Sequence, residues 1–517
     1  MKTLSELTDA FCPDADDRQI SALIYDSRKI CKSCLYIAIK GAKFDGHSAI
    51  AAAAEAGAAA VVAQYADDEQ KAVCEKSGCA LILTEDTRLA LALSSAAYFD
   101  NPADELITIG ITGTKGKSTS AFMIRSVMEE MGYKCGLIGT VEVDTGARHI
   151  PSVNTTPESY ELQSYLREMA DCGCRAVVME VSSQGLMMHR TGGIEFNVGV
   201  FTNISPDHIG PNEHKDFDDY LYCKSLLFKS CKIAAVNADD EHTEDILDGN
   251  MCDDIIRFGF SAHADMKAIS YKPIQTKGQP GTELAFSYKG ESYQMTLPFP
   301  GKFSVYNILS SISAVCGALE HEGELSLEAV MESSETALKH ALIKGRMELL
   351  PVSDDYSLMI DYAHNAMALE SLLSTLRDYC HGRLITLFGC GGNRAKSRRY
   401  EMGEVSGRLS DLTVITSDNP RDEEPLDIIA DIEEGIGRTD GKHVTVADRR
   451  EAIAYAMHEA KPGDMVILAG KGHEDYQEIK GTKHHMDERE LVYGILKEDG
   501  NEEAMLRMCK RYPYLAD

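Results

Sequence analysis

Basic charge is what this 517-residue chain has too little of: 52 Lys and Arg stand against 82 Asp and Glu, a net −30. Such a field repels nucleic acid and anionic membrane surfaces, so neither is expected as a partner, and any anionic ligand must be gripped by a few local cations. A long apolar run is also missing. The best approach to one, "AIAAAAEAGAAAVVA" at 49–63, is broken by Glu55 and Gly57 and reads as a soluble helix running into a strand. The start, "MKTLSELTDAF", has no apolar core of signal-peptide length, so a cytoplasmic protein is expected. A second CxxC to partner Cys31 and Cys34 does not occur, and Cys172 and Cys174 are too close for a usual zinc knuckle. The fifteen cysteines therefore read as thiols in a reducing compartment. Internal repeats and low-complexity tracts are absent as well.

What is present is ample apolar residue, 44% of the chain, in a length that suggests about three domains at ~150 residues each. Short apolar runs alternate with longer stretches of helical spacing. The runs are "ELITIGITG" (105–113), "RAVVMEV" (175–181), "NVGVFTN" (197–203), "KIAAVNA" (232–238), "LITLFG" (384–389), "LTVITS" (412–417) and "DMVILAG" (464–470). After the first of them, Ile124, Val127, Met128 and Met131 recur at helical spacing. This alternation predicts parallel α/β sheets. Nearly every run ends in a polar or glycine-rich motif, and open α/β sheets bind ligands at the carboxyl ends of their strands. Junctions are placed near 100 and around 336–346, giving domains 1–104, 105–338 and 339–517.

"GTKGKST" (113–119) stands between a strand and a helix, the context a phosphate loop requires. Its glycines let backbone N–H groups approach phosphate oxygens, Lys117 would neutralise the terminal phosphates, and Ser118 would ligate Mg²⁺. The common P-loop spacing calls for a glycine at 111, where this chain has Ile111. "SDNPRDEEP" (417–425) follows another run and sets four carboxylates around one arginine, Arg421. It is either a solvated turn or a fork for a carboxylate, and in the second case Pro420, by limiting the backbone, is expected to preorganise Arg421 in part. Glu180, at the end of an apolar run, is either a metal ligand or a strand-end cap. Lys224 would be a solvated helix lysine without further context.

The short form G-x-x-G-K-[ST] resembles the Mur ligase family, the ATP-dependent amide-forming ligases of peptidoglycan precursor synthesis. The resemblance extends in order along almost the whole chain. "YDSRKICKSCLYIAIKGAKFDGH" (25–47) looks like the uridine-nucleotide-binding start of the MurE type. It is followed by "NTTPES" (154–159), "MEVSS" (179–183), "FTNISPDH" (201–208), "YLYCKSLLF" (220–228) and "GKFSVYN" (301–307). "GRME" (345–348), "DYAH" (361–364), "GCGGNR" (389–394), "DNPR" (418–421) and "GKGHEDYQ" (470–477) complete it. Departures stand at Gln184, at 209–214, at Ser304 and at 365–367.

The resemblance implies a central P-loop-type ATP-binding α/β domain between an N-terminal UDP-binding α/β domain and a C-terminal Rossmann-like α/β domain. It assigns Gly113, Thr114, Lys115, Gly116, Lys117, Ser118, Thr119, Asn307, Arg346 and Asp361 to ATP. Ser118, Glu180, His208 and Lys224 are assigned to Mg²⁺, the lysine as a CO2-derived carbamate; Lys117, Lys224, His208 and Glu180 are the catalytic set. Tyr25, Ser27, Asn154, Thr155, Thr156, Ser182 and Arg190 would hold the UDP-muramyl dipeptide. Arg394, Asp418, Asn419, Pro420, Arg421, Gly470 and Glu474 would hold the amino acid. Because "DNPR" has the arginine, meso-diaminopimelate is the expected diamino acid. L-lysine is the alternative within the same reaction. A folylpolyglutamate synthase-like ligase is disfavoured by the hundred residues ahead of the phosphate loop, and a P-loop binding protein without ligase chemistry is disfavoured because nothing in this chain resembles switch segments. A monomer is expected.

Overall fold

The computed structural model describes residues 1–41, 44–207, 209–210, 213–276 and 279–516. By residue contacts the chain divides into two compact units, 1–267 with 307–334 and 268–306 with 335–517.

Besides a short antiparallel pair, Lys2–Thr3 with Gln19–Ile20, the first unit holds two larger sheets. The smaller is parallel, in the order Leu23–Ile24, Leu35–Ile37, Ala60–Ala63, Ala80–Leu83. Ala60–Ala63 is buried throughout, and the helix Ile50–Glu55 precedes it, as "AIAAAAEAGAAAVVA" predicts. The larger sheet has a parallel centre in the order Cys135–Ile138, Ala176–Glu180, Ile107–Thr112, Phe196–Phe201, Cys231–Asn237, Asp254–Gly259. Every residue of Ile107–Thr112 is buried, which is why that run reads as continuous rather than alternating. Gly110 lets the Phe196 ring close onto the strand: a Cβ there would lie 2.9 Å from Phe196 Cε1.

The chain leaves Ile107–Thr112, returns two strands away on one side, fills the gap, and then crosses to the other side. The carboxyl end of Ile107–Thr112 is thus a topological switch point, where such sheets open a crevice. The helix that follows, Lys117–Glu130, buries Met123, Ile124, Val127 and Met128; Met131 is its half-buried C-cap. Further on, one helix, Gly301–His321, is long and apolar enough to cross a membrane by length and composition, but 83% of that window is buried inside the protein.

In the second unit a six-stranded sheet runs Glu348–Leu350, Ser357–Asp361, Met465–Ala469, Leu384–Phe388, Leu412–Ile415, His443–Thr445. All neighbours are parallel except the first pair. The unit also carries a hairpin that no apolar pattern announces, Tyr476–Ile479 with Thr482–His485.

Candidate functional site

The phosphate-loop motif becomes a strand, a tight loop and a helix. Gly113 has φ +148° and Gly116 φ +88°, both on the positive side that favours glycine. A Cβ on Gly113 would collide with Thr202 Oγ1. The loop is tied to the end of the adjacent strand: Thr114 N–H donates to Asn203 O at 2.8 Å and Lys115 N–H to Asn203 Oδ1 at 3.0 Å. Thr202 Oγ1 and Asn203 Nδ2 both donate to Lys115 O, at 2.7 and 2.9 Å. Thr202 and Asn203, at the start of "FTNISPDH", are therefore the floor of the loop.

Two lysines converge on it. Lys117 Nζ donates to Gly113 O at 2.8 Å and to Thr114 O at 3.2 Å. Lys224, 1% exposed on the helix Phe217–Ser225, donates to the same Gly113 O at 3.0 Å. Its ammonium lies 4.4 Å from the centre of the Tyr220 ring, and Tyr220 Oη meets Thr114 Oγ1 at 3.1 Å. Burial first, and then Lys117, hold the Lys224 amine well below the usual lysine range. The solvated-face reading of Lys224 does not describe this chain.

Glu180 is buried at the end of its strand and makes no ion pair among the described residues. It accepts Ser118 Oγ–H at 2.9 Å, Thr140 N–H at 2.8 Å and Thr140 Oγ1–H at 3.2 Å. Ser118, Thr140 and Glu180 bring side-chain oxygens together here, and oxygen ligands suit a hard divalent cation; Lys224 reaches the same phosphate loop from its helix. His208 lies outside the described residues. Asn307, placed by the helix Gly301–His321, is buried against the phosphate-loop helix with its Oδ1 3.5 Å from Ser120 Oγ. Its Nδ2 is buried without a hydrogen-bond partner among the described residues. Thr119 continues the loop into the helix.

The residues assigned to the nucleotide-sugar substrate fall in the same unit. Thr156 Oγ1 donates to Glu180 O at 3.0 Å and accepts from Ser182 N–H at 2.9 Å, and Ser182 caps the short helix Ser183–Met187. Thr155 Oγ1 meets Thr140 Oγ1 at 3.0 Å. Arg190 bonds Thr156 O at 2.9 Å and pairs with Glu158 at 2.6 Å. Asn154 is exposed and Ser27 half-buried. Tyr25 gives its hydroxyl to Glu161 at 2.7 Å, a partner 136 residues away that sequence reasoning missed. Of the departure at 209–214, Pro211 and Asn212 lie outside the described residues. His214 is fully buried between Asp219 and Ser183, at 3.0 and 2.8 Å.

In the second unit the strand-end motifs of the amino-acid set meet. Lys471, fully buried, donates to Asn419 Oδ1 at 2.7 Å and to Tyr476 O at 2.6 Å, and pairs with Asp418 at 3.1 Å and Glu474 at 3.3 Å. Asn419 Nδ2 donates to Glu474 Oε2 at 2.9 Å. Lys471 was not singled out in the sequence, yet it is the cation that neutralises this acidic cluster from below.

Arg421 stands above it with φ +52°. Pro420 was expected to preorganise the arginine, but a proline fixes its own φ, not the left-handed one of its successor. The backbone is held instead by the hairpin: Arg421 N–H donates to Glu478 O at 3.0 Å and Lys480 N–H to Arg421 O at 2.8 Å. Arg421 Nε donates to Glu478 Oε2 at 3.0 Å and Nη1 to Gly392 O at 2.8 Å. Gly391 leaves room for that fork, since a Cβ there would lie 2.8 Å from Nη1. The loop bearing Arg394 is anchored to the same turn, Asn393 donating to Asp422 and Glu423; Arg394 itself is exposed. Gly470, φ +104°, opens the other side, 3.7 Å from Asp418 Oδ2 to a Cβ placed on it.

Arg346 lies over the Tyr362 ring at 4.7 Å, with its Nε buried and without a hydrogen-bond partner among the described residues. Both oxygens of Asp361 are taken by backbone, Oδ2 by Met347 N–H and Oδ1 by Ala363 N–H, each at 2.8 Å; burial raises its carboxyl.

The family model described as the Mur ligase middle domain matches residues 111–315. The "Mur ligase, glutamate ligase domain" matches 345–472, and the "Mur ligase family, catalytic domain" matches 19–99. A curated relative from Clostridium acetobutylicum, UDP-N-acetylmuramoyl-L-alanyl-D-glutamate–2,6-diaminopimelate ligase 1, is 41% identical over 93% of this chain and 95% of its own length. One of the same name from Caldanaerobacter subterraneus subsp. tengcongensis is 39% identical over 93% and 95%. A solved structure of a ligase of that name is similar at 28% identity and TM-score 0.68, covering 97% of this chain and 100% of that one. With three consecutive domain models matched and relatives this similar end to end, the chain belongs to the Mur ligase family and has its three-domain α/β fold.

Proposed function

We propose that the protein joins meso-diaminopimelate to the D-glutamate of UDP-N-acetylmuramoyl-L-alanyl-D-glutamate, using ATP, in peptidoglycan precursor synthesis. The observation that carries the choice of amino acid is the clamped guanidinium of Arg421 beside the Asp418–Asn419–Glu474 cluster. Diaminopimelate ends in a carboxylate and an ammonium on one carbon, and needs a fork for the first and acceptors for the second. L-lysine ends in an ammonium alone, which Arg421 would repel. The relatives' names support the same reading.

In this reading residues 1–104 bind the UDP moiety, 105–338 the ATP and 339–517 the amino acid. The D-glutamyl carboxylate attacks the γ-phosphorus, ADP leaves, and an acyl phosphate results. The diaminopimelate amine then attacks the acyl carbon, phosphate leaves and a proton is lost. Lys117 and the loop N–H groups neutralise the phosphoryl oxygens as charge builds. Ser118, Glu180 and Lys224 as its carbamate would hold Mg²⁺, which when bound screens the converging anions. Lys224 fits this role because burial lowers the proton affinity of its amine and so favours the reactive form: the free amine attacks CO2, releases a proton and becomes an anion. The protein is proposed to act in the cytoplasm as a monomer.

The test is ADP release measured with each substrate omitted in turn. Release that requires both the UDP-muramyl dipeptide and meso-diaminopimelate supports the reading; release independent of the amino acid contradicts it.

A further inference from the structure

The Nε edge of Arg421 is already spent inside the protein. A guanidinium can receive a carboxylate on its Nε/Nη2 edge or on its Nη1/Nη2 end. Glu478 Oε2 occupies Nε at 3.0 Å, and Gly392 O takes one Nη1 hydrogen at 2.8 Å. Among the described residues, that leaves the Nη end to face a ligand. The pair is partly shielded, Arg421 at 24% and Glu478 at 27% side-chain exposure, so neither group is a freely solvated charge.

Glu478 is itself held in register. Its N–H donates to Asn419 Oδ1 at 2.9 Å and its carbonyl receives Arg421 N–H at 3.0 Å, while Asn419 is fixed by buried Lys471. The first strand of the hairpin therefore aims the arginine twice, once through backbone and once through a carboxylate.

We infer that Glu478 is the positioning residue that orients Arg421, so that the guanidinium presents its Nη end to the far carboxylate of the amino-acid substrate. This rests on the reading of Arg421 as the carboxylate fork. Without Glu478 the guanidinium can turn about its side-chain torsions and the ordering cost falls on each binding event. The loss belongs to amino-acid binding and to discrimination against lysine, with phosphoryl transfer left alone.

The experiment compares Glu478→Ala, Glu478→Gln and Arg421→Ala in the full-length protein, with rates measured against meso-diaminopimelate and against L-lysine. For Glu478→Ala, KM for meso-diaminopimelate is expected to rise on the order of ten- to a hundredfold, the value of one charge-assisted hydrogen bond, with little change in kcat. The KM values for ATP and the UDP-muramyl dipeptide should hold, and Glu478→Gln, which keeps an oxygen acceptor for Nε, should restore most of the affinity. A KM for meso-diaminopimelate unchanged in Glu478→Ala overturns the inference, as does a fall in kcat with KM constant. If Arg421→Ala loses the preference over lysine and Glu478→Ala does not, the positioning role alone fails. If Arg421→Ala keeps the preference, the fork itself fails, and this inference with it.

Discussion

Lys224 and Lys117 bring two amino groups to one carbonyl, Gly113 O. In a buried setting two ammonium charges there would repel each other, and converting Lys224 to a carbamate would replace repulsion with attraction. Lys224→Ala is expected to lose activity on the order of 10²-fold or more, and small carboxylates such as formate or acetate should return part of it, because an anion and not an amine is required there. Steady-state rates with and without added acetate check this; a folded variant that acetate leaves inactive argues against the carbamate. His473 offers a pH test. Burial, then Arg346, Lys344 and Arg489, push its imidazole down to about 3, against ~6.5 when unfolded. The unfolded chain therefore takes up a proton at a pH where the folded one does not. The stability tied to neutral His473 is full above about pH 6.5 and is lost as pH falls toward 3. Between about pH 7 and about pH 5, Tm of the unmutated protein should fall more steeply than that of His473→Gln; parallel slopes would contradict it.

Among elements, the strand Ile107–Thr112, the loop and the helix Lys117–Glu130 behave as one device, because the loop has no freedom of its own. Gly113 faces Thr202 Oγ1 with φ +148°, so a methyl group there must push the loop off its floor. Gly113→Ala is expected to weaken ATP binding about tenfold or more, with the affinity for the UDP-muramyl dipeptide little changed. Titration with each ligand decides it, and an unaltered ATP affinity would show that the loop is softer than the packing implies. This device was legible in the sequence, since a buried strand, glycines and a helical period are all local signals. Its floor was legible only as a motif, because Lys115 and Asn203 are 88 residues apart and nothing local joins them. The hairpin Tyr476–Ile479 and Thr482–His485 left no trace: "YQEI" and "TKHH" carry no clear apolar alternation, and it stands on its bonds to the "DNPR" turn. For the same reason the role given to Pro420 failed. The conformation of Arg421 is set by a partner nearly sixty positions away, not by its neighbour.

At the scale of the whole molecule, a chain carrying −30 binds a highly anionic nucleotide sugar and ATP only where a few cations are concentrated. The order of motifs along the chain, and the family to which it belongs, were readable because strand ends carry the chemistry in an α/β fold. The buried cation Lys471 was not, since a lysine in "GKGHE" looks solvated until Asp418, Asn419 and Glu474 close over it. These cations and acceptors converge on one claim, that the second unit reads a carboxylate at the far end of its amino acid. The most direct measurement is the ratio of kcat/KM for meso-diaminopimelate and for L-lysine in the unmutated protein, at saturating ATP and UDP-muramyl dipeptide. A site whose polar groups are left unpaired by the analogue is expected to prefer meso-diaminopimelate by ~10⁴-fold. Equal or faster turnover with L-lysine would contradict the account and make Arg421 a structural strap for the hairpin.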